Sequence, residues 1–86
     1  NPRKARVLAS ASRIYDEQHG KRSYAFVAKS PVNTTNVSRV LLPECPKQIL
    51  IDGRATATDG CWDETTRTCL IRFENNPDGV SVRITW

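Results

Sequence analysis

Val80, Val82, Ile84 and Trp86 alternate with Ser81, Arg83 and Thr85 to the last residue. A period of two is the signature of a strand with one face buried. The same rhythm runs through Ile71 and Phe73, and through Tyr24 and Phe26. Strands are expected over residues 7–15, 23–29, 37–42, 47–51, 54–58, 69–73 and 80–86, with 61–62 continuing the 54–58 arm after a kink at Gly60. Turn chemistry separates them. Gly20 ends a polar run, residues 30–36 form a loop, and Pro43 and Pro46 stop a strand. Asp52-Gly53 closes a tight hairpin, and Asn75-Asn76-Pro77-Asp78-Gly79 closes another. About seven strands with turns roughly every 8–12 residues predict an all-β fold, an Ig-like antiparallel β-sandwich. Its core should draw on Val7, Tyr24, Phe26, Val40, Leu42, Ile49, Ile51, Ile71, Phe73, Val80, Val82 and Ile84, with Trp86 partly buried on the same face.

Eighty-six residues suffice for one such domain. The balance of 38% hydrophobic and 26% charged residues belongs to a folded chain rather than a disordered one. No apolar run approaches the ~20 residues of a membrane-spanning helix. The chain has no Met, and its first residues lack a signal-peptide core. It therefore reads as a fragment or C-terminal module of a longer protein. The net charge of +4 permits anionic partners without requiring them.

The candidate chemistry is sparse. Cys45, Cys61 and Cys69 have no CxxC spacing, and His19 is the single histidine, so no metal or cofactor site is expected. In a hairpin turning near Thr65, Cys61 and Cys69 face each other, either as a disulfide or as two free thiols in the core. Cys45 is left over as a free thiol. His19 reads as a solvated loop residue. The pairs Asp16-Glu17 and Asp63-Glu64 place neighbouring carboxylates on opposite strand faces or in turns, which does not suit shared acid–base work. The sequons beginning at Asn33 and Asn36 read as loop and strand-entry polar residues. The clusters Arg3, Lys4, Arg6 and Lys21, Arg22 read as solvated faces, without the aromatic interleaving of a nucleic-acid binder. With Cys61 inward, Trp62 points outward or caps an edge of the core. As an outward ring it is a candidate for stacking on a sugar, with Tyr15 or Tyr24 beside it.

Three stretches carry a resemblance: Leu42 through Gly53, Trp62 through Phe73, and Asn76 through Trp86. Together they resemble the C-terminal β-sandwich modules of secreted, multidomain carbohydrate-active proteins of Bacteroides-like bacteria. A strand ending in Asp-Gly, a Trp-Asp turn and a closing Gly-Val-x-Val-x-Ile strand carry the likeness. Cys61 and Cys69 depart from it, since aliphatic residues are expected there. The resemblance implies a non-catalytic accessory domain, extracellular or periplasmic. Its partner would be a catalytic or neighbouring domain of the same polypeptide. Carbohydrate binding through Trp62, Tyr15 and Tyr24 is the second reading. A basic domain binding nucleic acid or protein is the third.

Overall fold

The computed structural model describes residues 5–9, 13–29, 35–56, 58, 60–74 and 76–86. Among these the fold is all-β: nine strands in two antiparallel sheets, with no helix long and apolar enough to cross a membrane. They are β1 (Arg6–Ala9), β2 (Arg13–His19), β3 (Ser23–Lys29), β4 (Thr35–Leu41), β5 (Gln48–Ile51), β6 (Arg54–Thr56), β7 (Trp62–Asp63), β8 (Thr68–Glu74) and β9 (Val80–Thr85). One sheet has the order β1-β4-β8-β7 and the other β2-β3-β9-β5-β6.

One hydrophobic cluster draws on both sheets, so the arrangement is β-sandwich-like. Tyr24, Phe26, Ala28, Ile49, Val80, Val82 and Ile84 come from the five-stranded sheet, and Val40, Cys69, Ile71 and Phe73 from the four-stranded one. Leu42, Trp86 and Ala5 complete it. Of the expected core, Val7 and Ile51 are half-buried against its margin. Burying an aliphatic or aromatic side chain contributes about 1.5–3 kcal/mol, so β3, β8 and β9, whose inward phases are all apolar, carry most of the stability.

Nine strands replace about seven for identifiable reasons. Residues 7–15 do not form one strand. Val7 pairs with Val40 in the four-stranded sheet, whereas Ile14 pairs with Ala28 in the five-stranded sheet. An odd and an even position cannot both face inward along one unbroken strand. Similarly, β6 pairs with β5 while β7 pairs with β8, so residues 61–62 join the opposite sheet rather than extending the 54–58 arm. Residues 35 and 36, expected in a loop, open β4. Asn36 and Ser38 there are fully buried, with the Ser38 hydroxyl donating to Asn36 Oδ1 at 2.7 Å.

The turns act as expected at Asp52-Gly53, where both residues take positive φ (50° and 81°), the form that matches the twist of a two-residue hairpin. The hairpin between β7 and β8 differs by one residue. Trp62, not Cys61, lies opposite Cys69, and Asp63 lies opposite Thr68. Asp63 Oδ1 accepts from the amides of Thr65 (2.9 Å) and Thr66 (3.3 Å), and Arg67 takes φ 57°. These features make residues 64–67 the turn and move its centre past Thr65.

Candidate functional site

The three aromatic residues proposed for sugar stacking are not brought together. Tyr24 is a correction. It has 0% exposure in the interior strand β3, between β2 and β9, and its ring packs on Phe26 and His19 at centroid distances of 5.5 and 4.8 Å. Its hydroxyl donates to Glu17 Oε1 at 3.0 Å. Burial pushes the phenol well above the usual tyrosine range, and the hydrogen bond and charge of Glu17 add to that rise, while a backbone bond from Val7 opposes it. A side chain so enclosed offers no face to a ligand.

Trp62 follows from the corrected register. Opposite Cys69, it belongs to the inward phase, half-buried against the core margin rather than outward. Its indole N–H donates to Glu64 Oε2 at 2.6 Å. It caps the core from the edge strand β7, the alternative that its polar tip and apolar body allow. Tyr15 is the exposed member, at 40%, with the Lys29 ammonium 5.4 Å from its ring centroid. It lies on β2, an edge of the five-stranded sheet, while Trp62 lies on the far edge of the other, away from β1.

Beside Tyr15 the strand β2 makes a bulge. Tyr15 pairs with Val27 and Gln18 with Ala25, so one residue is extra, and Asp16 takes φ 51° to accommodate it. The bulge opens a cleft of about 450 Å³ on the outer sheet face, lined by Asp16, Gln18, Val27, Ser81 and Arg83 among others. A larger cleft, about 600 Å³, lies between the β5–β6 hairpin and β8, where Arg54 and Arg72 mix with Asp52 and Glu74.

The outer face of the four-stranded sheet was missed by inspection of motifs. Val37 lies opposite Arg72, Arg39 opposite Leu70, and Arg6 opposite Leu41. Val37 is 40% exposed, and Leu8 on the edge strand β1 is 44% exposed. Among the described residues the only salt bridge is Arg22–Glu44, so Arg6, Arg39 and Arg72 make no direct ion pair with a described acid, although Glu74 shares the cleft of Arg72. A signal was present in the sequence: Val37, Leu41 and Leu70 are apolar residues in the outward phase of their strands, where polar ones are expected.

The remaining candidates have structural tasks. His19 ends β2, and its Nε2–H donates to the Ala5 carbonyl at 2.8 Å, tying the strand to the residue before β1. Of the carboxylate pairs, Glu17 receives Tyr24, Asp63 holds the turn amides and Glu64 receives Trp62. Asn76 Oδ1 accepts from the Asp78 amide within the last turn. Asn36 is buried, which closes that sequon to a glycan in the folded chain, and Asn33 lies outside the described residues. Among the described residues no three His, Cys, Asp or Glu side chains gather to hold a metal ion. Compared with protein-family models, with curated proteins and with solved structures, the chain finds no match.

Proposed function

We propose that this chain is a non-catalytic accessory module, an Ig-like sandwich that packs against a neighbouring domain of a secreted or periplasmic glycan-processing protein. The observation that supports this reading is the outer face of the four-stranded sheet. Its half-exposed aliphatic residues would gain from cover, and Arg6, Arg39 and Arg72 around them select an acidic surface on the covering domain. Arginine suits such an interface because its planar fork binds carboxylates in pairs of hydrogen bonds. The test is charge reversal, Arg39→Glu with Arg72→Glu, in the polypeptide made from the native gene. The expected result is a domain that melts independently of its neighbour, while the 86-residue chain alone keeps its melting temperature. An unchanged melting profile of the native polypeptide contradicts the reading.

Carbohydrate binding is the second reading, and the cleft at the β2 bulge next to Tyr15 favours a site there over one at Trp62. The exposed Tyr15 ring pairs across the strands with Val27, which lines the cleft with Gln18, Ser81 and Arg83, so a stacking platform and hydrogen-bonding groups share one sheet face. Tyr15→Ala should abolish retardation on a polysaccharide gel without loss of fold. Retardation unchanged by Tyr15→Ala and lost in Trp62→Ala would return the site to β7.

A further inference from the structure

We infer that Cys61 and Cys69 form an intramolecular disulfide that fastens the edge strand β7 to β8. The two thiols meet at the margin of the core, with their sulfur atoms 2.9 Å apart. That separation lies inside ordinary sulfur–sulfur contact and leaves only a short closure to a covalent bond. The contact does not come from the directly opposed pairing, since Trp62 holds that position against Cys69. Cys61 is instead the next residue along. Its carbonyl accepts from the Leu70 amide at 2.9 Å, and its thiol donates to the Thr58 carbonyl at 3.0 Å. These contacts orient Cys61 from both sides and direct it at Cys69.

The two sulfur atoms differ in access, which sets the order of steps. Both are free thiols in the structure, the Cys69 S–H donating to Cys61 Sγ, with Cys61 half-buried and Cys69 buried. Burial pushes the Cys69 thiol well above its usual range, and Cys61 and the nearby Cys45 raise it further. With glutathione disulfide as the oxidant, the Cys61 thiolate attacks one sulfur, forming a mixed disulfide and releasing one glutathione thiol. The Cys69 thiolate then displaces the second glutathione. Two cysteine thiols are oxidised, one glutathione disulfide is reduced to two thiols, and the two cysteine protons end on the glutathione. The second step accelerates as the solution becomes more alkaline, because more Cys69 is thiolate. Cys45, exposed and with its thiol directed at the Pro46 carbonyl, stays free.

The bond matters because β7 has only two residues and forms one open edge of its sheet. Anchored to β8, it keeps Trp62 over the end of the core and withholds a loose edge from foreign strands. The test is thiol counting in denaturant after incubation of the folded chain with glutathione disulfide, followed by peptide mapping. The expected result is two thiols lost from the chain and a linked peptide joining Cys61 to Cys69. Cys45→Ser should lose the same two, and Cys61→Ser should form no internal bond. Reduction of the oxidised chain should lower its melting temperature by roughly 10–20 °C. All thiols remaining, glutathione adducts without an internal bond, or a link that includes Cys45 would each overturn the inference.

Discussion

Replacing Tyr24 by Phe isolates one buried hydroxyl and nothing else, because the ring volume in the core is preserved. At neutral pH the variant loses the bond to Glu17 and the one received from Val7. A hydrogen bond to a charged group contributes about 1.5–3 kcal/mol net, and the exposure of Glu17 places this one at or below the lower end, about 1–2 kcal/mol. A domain of this size should melt about 5–15 °C lower. The pH dependence is more diagnostic. The folded-state pKa of Tyr24 is raised above that of the unfolded chain, so the stability it confers is fully present below pH ~10. Above that, the unfolded chain gives up the proton while the folded one keeps it. The wild type then loses stability at about 1.36 kcal/mol per pH unit, an accumulated ~1.4 kcal/mol by pH 11. The variant has no phenolic proton to lose at that position. Urea unfolding in reducing buffer, followed by far-UV circular dichroism from pH 7 to 11.5, should show the gap between the two proteins narrowing toward zero at the alkaline end. A gap that stays constant across that range would refute the reasoning, as would equal stability at pH 7.

Gly79→Ala should cost at least about 1–2 kcal/mol by urea titration, since φ is 103° there and a Cβ would stand 2.9 Å from Val27 Cγ1. Asp63→Ala removes the acceptor of two turn amides and should cost about 1 kcal/mol, with amide exchange accelerated at Thr65 and Thr66 before it changes elsewhere. Phe73→Ala empties an inward position between the sheets and should cost about 3–5 kcal/mol, enough to leave much of the chain unfolded by circular dichroism at 37 °C.

The strands that carry the core were legible because their apolar residues announce the inward phase without help from the rest of the fold. Ile71 and Phe73, or Val80, Val82 and Ile84, need only the period of two. Asn36 and Ser38 were not legible, because a polar residue gives no sign of facing inward until a partner such as the other member of the pair is placed beside it. The division of residues 7–15 between two sheets could have been found from parity, since Val7 and Ile14 cannot share one face. At the 61–69 hairpin the pairing lies one residue from the expected register, and Cys61 and Trp62 both pack against the core. The missing information was the Asp63 carboxylate, whose two amide bonds set the turn length. That single step decides between the two positions open to Trp62, an outward ring or a cap on the core, in favour of the cap. Tyr24 illustrates the converse case: the same residue suits a core and a sugar platform, and its place in the inward phase of the interior strand β3 decides between them.

The central claim is that another domain covers the outer face of the four-stranded sheet. Hydroxyl-radical footprinting measures it directly, by comparing side-chain oxidation in the polypeptide from the native gene with that in the 86-residue chain. Leu8, Val37 and Leu70 should be protected several-fold in the native polypeptide, with Tyr15 on the other sheet reacting equally in both. Equal oxidation of Leu8, Val37 and Leu70 in the two proteins would contradict the claim.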